Sequence, residues 1–271
     1  MPAHVTLPVV MTEPIWTDIR VPSRGDPNSL MAKPVCVIIG SGEGLGRALA
    51  ARFASQGFDL GLVSRSKENC SPAIEAVMHA SGTARFFQAD VTQPQSVESA
   101  IANISRDMGE VTLLIYNVRG SFDSCEPLDM TYEALERIYR EEVVGAFAAA
   151  KSVLPAMIER GAGSIFFSSA TAAFRGSAGF PLYAIGKFGL RALAQSLSKA
   201  YARHGIHIAH FRLDCDLDVP VMKELYGSDY DPEKLADPDD VAESYWLTFK
   251  QPKTAWSNEV EIRPYTETWT Y

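Results

Sequence analysis

The sequence predicts an α/β fold, a doubly wound parallel sheet with helices on both faces in a single domain. Short apolar runs rich in β-branched residues alternate with longer stretches of helical periodicity, an order typical of parallel sheets. The first run, residues 35–39, ends in a glycine-rich turn that leads into a helix. In such a sheet, ligands bind at the carboxyl ends of the strands.

The predicted elements follow one another from residue 34 onward. Strands are predicted at residues 35–39, 58–64, 84–89, 111–116, 164–168, 206–213 and 259–262. Helices are predicted from about residue 44 and then at about 71–80, 94–108, 131–160, 182–203, 219–226 and 238–250. Residues 1–33 contain five prolines and no sustained periodicity, so we expect an extended N-terminal arm there and one domain over residues 34–271.

The composition argues against several classes of protein. Of the 271 residues, 46% are hydrophobic and 21% are charged, as in ordinary soluble globular proteins. The net charge of −8 argues against nucleic-acid partners and anionic membrane surfaces, and no apolar run approaches the roughly 18 residues of a membrane span. Four scattered cysteines and the lack of a signal-peptide pattern favour a cytoplasmic protein with reduced thiols.

The turn after the first strand has the glycines of a phosphate-binding site. Gly40 suits a tight turn, Gly44 lets a ligand approach the backbone, and Gly46 lets helix and strand pack closely. Backbone N–H groups at the start of a helix attract a phosphate or pyrophosphate, and Ser41 and Leu45 belong to the same candidate site. An ordinary strand–helix turn is the alternative, since glycines have many structural uses.

Tyr183 and Lys187 are four residues apart on a predicted helix, so both lie on one helix face. A free tyrosine has a pKa of about 10. An ammonium group within about 4–6 Å is expected to lower that pKa by about 1–3 units. The pair could then pass a proton to or from a carbonyl oxygen. A half-buried tyrosine beside a solvated lysine is the alternative.

Together with Asn117 after the fourth strand and a serine pair at 168–169, these features resemble the short-chain dehydrogenase/reductase family from about residue 34 to the C-terminus. The resemblance implies a Rossmann-type fold and a nicotinamide cofactor. It implies that the glycine turn, Asn117 and the pair Asp90-Val91 bind this cofactor. It also implies that Tyr183 and Lys187 are catalytic and that both contact the cofactor.

Two catalytic positions depart from the family pattern. The serine of the family aligns with Ala170, and a loop longer by one residue would bring in Ser169, with Ser168 as the second choice and Thr171 as the third. The asparagine that completes the family's catalytic set aligns with Glu142. A glutamate there could pair with the catalytic lysine, act as an acid or base itself, or be an ordinary surface residue.

The end of the second strand indicates the type of cofactor. An acidic residue there would bind the ribose 2′-hydroxyl of NAD, whereas an arginine suits the 2′-phosphate of NADP. This chain has Ser64 and Arg65, with Lys67 beyond them, and no acid. We therefore predict NADP(H).

Residues 214–236 correspond to the substrate lid of the family, in which Tyr226 and Tyr230 could set substrate size. The lid begins with three aspartates within 214–218, where the family has a threonine.

His207 and His210 are an odd number of residues apart on a predicted strand and face opposite ways, so no metal site is predicted. Several aromatic residues are interpreted as core or pocket lining, namely Phe166, Phe167, Phe174 and Phe180.

The predicted function is NADPH-dependent reduction of a carbonyl in a small, apolar molecule, or the reverse oxidation, with Tyr183 as the general acid or base. Imine or enone reduction, cyclisation or isomerisation by the same fold is the alternative, and a non-catalytic NADP-binding module is a third. The resemblance further implies a homodimer or homotetramer, formed through the helices at 131–160 and 182–203. The C-terminal aromatic residues Tyr265, Trp269 and Tyr271 could reach a neighbouring subunit.

Overall fold

The apolar runs of the sequence form the strands of one sheet in a computed structural model that describes residues 33–268. The strands are β1 Val35–Ile39, β2 Asp59–Ser64, β3 Thr83–Gln88, β4 Val111–Tyr116, β5 Gly163–Ala170, β6 Ile206–Leu213 and β7 Glu259–Ile262. Their order is β3-β2-β1-β4-β5-β6-β7, and every neighbouring pair is parallel. The predicted doubly wound sheet is confirmed. Residues 1–32, Trp269 and Tyr271 lie outside the described residues.

Helices connect the strands and cover both faces of the sheet. They are α1 Leu45–Ser55, α2 Lys67–His79, α3 Pro94–Met108, α4 Tyr132–Tyr139, α5 Gly145–Arg160, α6 Pro181–Tyr201, α7 Pro220–Tyr226 and α8 Pro238–Phe249. One core cluster contains buried residues of α1, α2 and α8, and the other contains those of α3, α5 and α6. In the described part of the chain, no helix is both long enough and apolar enough to cross a membrane.

Some predicted boundaries are wrong by several residues. Helix α2 begins at Lys67, four residues before the predicted start, because the Ser66 hydroxyl caps it by accepting a hydrogen bond from the Asn69 N–H. Strand β5 continues to Ala170, two residues beyond its predicted end, because it pairs with β6 along its whole length.

The single helix predicted at 131–160 is interrupted. A π-helical turn at Arg140–Val144 separates α4 from α5. Such a turn contains one extra residue, which widens the helix and changes which backbone carbonyls remain free. Here the carbonyl of Glu141 accepts a hydrogen bond from the Tyr116 hydroxyl at the end of β4. Helical periodicity does not report this interruption, because the contact that stabilises it comes from a distant strand.

Candidate active site

The site lies where the order of the strands reverses, between β1 and its neighbour β4. Because all strands are parallel, the loops after β1, β2, β4, β5 and β6 share one edge of the sheet. Asn117, directly after β4, donates its side-chain amide to the Gly40 carbonyl at 3.0 Å, and its backbone N–H bonds to the Ile39 carbonyl at 2.8 Å. Asn117 thus joins the two loops, and a contact between Asn117 and the cofactor stays a prediction.

The glycine turn is shaped by close backbone contacts. Gly40 has a φ of +90°, and a Cβ at this position would lie 2.5 Å from the Asn117 carbonyl oxygen. A Cβ on Gly46 would lie 2.6 Å from the Ser41 Cα, so the helix could not pack as closely with any other residue. No side chain caps the N-terminus of α1, and its first turn contains no acid. The Arg47 N–H donates to the Gly42 and Gly44 carbonyls at 2.9 and 3.1 Å, so within the described residues the N–H groups that precede it at the start of α1 are the ones that could bind an anion.

Two residues predicted to bind the cofactor have side chains that point into the protein. Ser41 is fully buried, and its hydroxyl lies 3.0 Å from the sulfur of Cys70. Leu45 is buried in the core cluster of α1 and α2. Either residue can therefore offer only backbone groups to a ligand at this turn.

The ends of β2 and β3 provide the other predicted cofactor contacts. The Ser64 hydroxyl is engaged locally, donating to the Ser66 carbonyl at 2.9 Å. Arg65 and Lys67 are exposed, and neither side chain forms an ion pair within residues 33–268. After β3, one carboxylate oxygen of Asp90 accepts two hydrogen bonds from Thr92. Val91, the next residue, packs against the core.

Tyr183 and Lys187 are both buried on α6, with exposures of 8% and 2%. The Lys187 ammonium lies 2.8 Å from a carboxylate oxygen of Glu142 and also donates to the backbone carbonyls of Val118 and Ser168, at 3.1 and 3.4 Å. It lies 5.5 Å from the centre of the Tyr183 ring. The alternative of a solvated lysine is therefore wrong.

Glu142 is completely buried, so its interpretation as a surface residue is also wrong. The π turn directs Glu142 and Glu141 towards the loop after β4. There Glu142 accepts a hydrogen bond from the Gly120 N–H at 2.7 Å, and Glu141 accepts one from the Ser121 N–H at 2.7 Å. A Cβ on Gly186 would lie 2.9 Å from the Glu142 Cγ, so glycine on α6 makes room for this buried side chain.

The charges of this cluster correct the expected titration of Tyr183. Burial raises the pKa of Tyr183 and Glu142 raises it further, which outweighs the lowering by Lys187. Burial also lowers the pKa of Lys187, but Glu142 and Tyr183 together raise it by more, and the net shift is upward. The ammonium therefore stays charged, while the carboxylate opposes its effect on Tyr183. Lys187 does lower the pKa of Tyr183, as expected, but the expected net lowering is wrong because burial raises that pKa by more.

The three candidate hydroxyls have different surroundings. The Ser168 hydroxyl accepts a hydrogen bond from Tyr245 of α8 at 2.8 Å, and the Thr171 hydroxyl donates to Asp214. Because side chains alternate along a strand, Ser169 faces the opposite side of the sheet from Ser168, the side covered by α6. Its hydroxyl is buried and forms no hydrogen bond within residues 33–268.

Aromatic residues border the Tyr183 side chain. The Phe122 ring stacks on Phe180, with centroids 4.4 Å apart, and meets the Tyr183 ring edge-on at 4.9 Å. The guanidinium carbon of Arg119 lies 5.5 Å from the Phe122 centroid. Sequence analysis included Phe180 as a lining residue but missed Phe122 and Arg119. Their position just beyond the end of β4 was the available signal.

Comparisons with known proteins agree with this geometry. The profile of the short chain dehydrogenase family matches residues 34–213. This chain belongs to the short-chain dehydrogenase family. A short-chain dehydrogenase/reductase of Armillaria gallica is 30% identical over 180 residues, which cover 65% of this chain and 69% of the relative.

Solved structures share the fold of this short-chain dehydrogenase. A short-chain dehydrogenase from Rhodopseudomonas palustris is 29% identical, with a TM-score of 0.73 over 86% of this chain and 99% of its own. A metagenomic short-chain oxidoreductase in complex with NADP is 20% identical, with a TM-score of 0.75 over 87% of this chain and 99% of its own. The family consists of oxidoreductases that use nicotinamide cofactors, and the uncapped start of α1 suits the phosphates of such a ligand.

The aspartates at the start of the predicted lid of this short-chain dehydrogenase are all engaged. Asp214 pairs with Arg263, Asp216 accepts a hydrogen bond from Tyr226 at 2.7 Å, and Asp218 accepts one from Tyr230 at 2.8 Å. The segment reaches the glycine turn, because the Val219 Cγ1 lies 3.2 Å from where a Cβ of Gly44 would be. A lid function for 214–236 stays a prediction.

The two strand histidines have structural contacts. His207 stacks on Trp256 with ring centroids 4.7 Å apart, and its Nε2 lies 3.0 Å from the Ser257 carbonyl. His210 donates its Nδ1 hydrogen to Glu259 at 3.0 Å. Within residues 33–268, no group of three or more histidine, cysteine, aspartate or glutamate side chains could hold a metal ion.

Proposed function

We propose that this short-chain dehydrogenase uses NADPH to reduce a carbonyl group of a small molecule with an apolar body, or catalyses the reverse alcohol oxidation. The observation that carries the proposal is the buried cluster of Tyr183, Lys187 and Glu142, together with the Ser169 hydroxyl, which is buried without a hydrogen-bond partner among the described residues. A purely structural cluster would not need a buried tyrosine and a free buried hydroxyl at the ligand-binding edge of the sheet.

The residues of the chain have separate tasks in this reaction. The reduced nicotinamide, when bound, supplies a hydride to the carbonyl carbon. Tyr183 donates its phenolic proton to the carbonyl oxygen, and its raised pKa keeps that proton in place at neutral pH. Ser169 orients the carbonyl by donating a hydrogen bond to the same oxygen. Lys187 stabilises the phenolate that remains, and Glu142 holds Lys187 in its charged form.

The preference for NADPH rests on the two exposed cations after β2. Arg65 and Lys67 have no ion pairs in the described region, so they are available to a 2′-phosphate. The test compares the dissociation constants of NADPH and NADH for the parent and Arg65→Ser, with Arg85→Ser as a control at an exposed site on β3. We expect Arg65→Ser to weaken NADPH binding and Arg85→Ser to leave it unchanged. Equal affinity of the parent for both cofactors would contradict the preference.

The catalytic proposal is tested by NADPH oxidation with a panel of ketones, aldehydes, imines and enones. Tyr183→Phe is expected to lower kcat by about 10²- to 10⁴-fold while NADPH binding is retained. Tyr132→Phe, at an exposed tyrosine of α4, is the control. A Tyr183→Phe variant as active as the parent would refute the mechanism. Conversion of a substrate without net loss of NADPH would instead favour isomerisation or cyclisation.

A homodimer or homotetramer is also proposed. Large apolar side chains are exposed on α4, α5 and α6, namely Tyr139, Phe147, Ile185 and Phe188. Exposed apolar side chains that come together in one patch are typical of protein contact surfaces. Light scattering should give the mass of a dimer or tetramer for the parent and a smaller mass for Phe147→Glu. A monomeric parent would contradict the proposal.

A further inference from the structure

An unpaired arginine lies beside the Tyr183 site. Arg119 follows Asn117 by two residues in the loop after β4, and its side chain is exposed. Within residues 33–268 it forms no ion pair and no hydrogen bond, and its guanidinium group lies over the Phe122 ring. The carboxylate of Asp123 in the same loop pairs with Arg137 of α4, at 3.5 Å. Arg119 therefore remains available to a ligand.

Arg119 is close enough to act on the same small molecule as Tyr183. Its guanidinium carbon is 5.5 Å from the Phe122 centroid, and the Tyr183 centroid is 4.9 Å from that same point. The sum of these two distances, 10.4 Å, is the upper limit for the separation of the guanidinium carbon and the Tyr183 ring centre. Arg119 also lowers the pKa of Tyr183 by more than Asp216 raises it, so its positive charge reaches the site.

The groups around Tyr183 differ in chemistry. Phe122 and Phe180 form a stacked apolar wall beside the phenol. Arg119 provides a planar fork of N–H donors that matches a carboxylate in bidentate geometry. Because Arg119 is exposed beside this apolar wall, a ligand that contacts the wall can also reach the guanidinium. A ligand with an apolar body and an anionic end would satisfy both the wall and the cation.

We propose that the substrate is a carbonyl compound that carries a carboxylate, which Arg119 binds while Phe122 and Phe180 contact the apolar part between the two groups. This inference rests on the proposed function, since it assigns the substrate class of the Tyr183 site. The carboxylate takes no part in bond making. The carbonyl is reduced to an alcohol by the hydride from NADPH and the proton from Tyr183, and the carboxylate sets the orientation of the carbonyl.

The experiment uses two keto acids, 4-acetylbenzoate and 4-oxopentanoate, and compares each acid with its methyl ester. It uses the full-length parent, Arg119→Met and Arg137→Met. Methionine keeps an unbranched apolar side chain that can still pack on Phe122, and Arg137→Met removes a nearby positive charge that already has a partner. Binding to the NADPH-loaded protein is measured by calorimetry, and kcat/KM is measured from NADPH oxidation.

We expect the parent to bind each acid at least about tenfold more tightly than its ester, as is typical for a charge-assisted hydrogen-bonded pair. Arg119→Met should bind the acids more weakly and the esters as the parent does, so that the preference is lost, and its affinity for NADPH should be unchanged. Arg137→Met should retain the preference. Equal or undetectable binding of acid and ester by the parent would overturn the inference. Weaker NADPH binding by Arg119→Met would also overturn it, because Arg119 would then serve the cofactor.

The same data separate this inference from the proposed function. In one outcome, acids and esters are reduced equally well, in a reaction that Tyr183→Phe abolishes and Arg119→Met does not affect. That result would refute the proposed substrate class and support the proposed carbonyl reduction. An acid preference in binding that depends on Arg119, without any NADPH oxidation, would support the anion site and count against the reductase.

Discussion

Replacing Glu142 by glutamine removes one charge from the buried Tyr183–Lys187–Glu142 cluster and preserves its shape. At 2.8 Å and an effective dielectric constant of about 20, the attraction between Glu142 and Lys187 is about 6 kcal/mol. The amide oxygen of glutamine can still accept the Gly120 N–H. Removing one partner of a buried pair typically costs about 3–5 kcal/mol, so we expect the free energy of unfolding in urea to fall by about 3 kcal/mol or more.

The same substitution should change the pH dependence of catalysis. Glu142 raises the pKa of Tyr183, and without it the charge of Lys187 is no longer compensated, so the pKa of Tyr183 should fall. Reduction needs the protonated phenol, so kcat for reduction should begin to decline at a lower pH than in the parent. Oxidation needs the phenolate, so its rate should rise at a lower pH.

Glu141→Gln is the matched control. Glu141 belongs to the same π turn and accepts the Ser121 N–H, but it forms no ion pair with Lys187. This variant should keep the parent's pH profile. Glu142→Gln could be less stable than the parent and still show the same decline of kcat for reduction at alkaline pH. In that case the role of Glu142 would be structural, and the reasoning on the pKa of Tyr183 would be refuted.

Three further outcomes are expected. Ser169→Ala should lower kcat/KM by about 10²-fold without lowering stability in urea, because the hydroxyl has no protein partner in the described region; a destabilised variant would contradict this. Gly40→Ala should cost about 1–3 kcal/mol in backbone strain, plus the clash with Asn117, and an unchanged Tm would refute the turn geometry. Burial raises the pKa of Glu259, but hydrogen bonds from His210, Gln195 and Arg191 hold it at about 2. The stability that Glu259 contributes is present above about pH 4.3, its unfolded pKa, and disappears as the pH falls through about 2. Glu259→Gln should therefore be about 1 kcal/mol less stable than the parent at pH 7, after allowance for solvent exposure, and equally stable near pH 2; a deficit independent of pH would contradict this.

Local patterns of the sequence were sufficient for most of the fold. A strand buried on both faces needs an apolar run, so β1, β4 and β6 could be located from the residues alone. Alternation of strands and helices then specified a parallel sheet, and parallel strands bring their carboxyl ends to one edge. The glycine turn and the Tyr183–Lys187 spacing are likewise local features, because each lies within a few residues of sequence.

The tertiary structure decided what depends on contacts between distant segments. The pairing of Glu142 with Lys187 joins residues 45 positions apart, and the π turn that directs Glu142 inward is stabilised from β4. The proposal of Ser169 rather than Ser168 rests on the hydrogen bond that Tyr245 of α8 donates to Ser168. The raised pKa of Tyr183 depends on burial and on the sum of charges around it, and neither quantity is a property of nearby sequence. The sequence by itself therefore determined the kind of protein and the pair that we propose to be reactive, and only the folded chain decided the charge state and the surroundings of that pair.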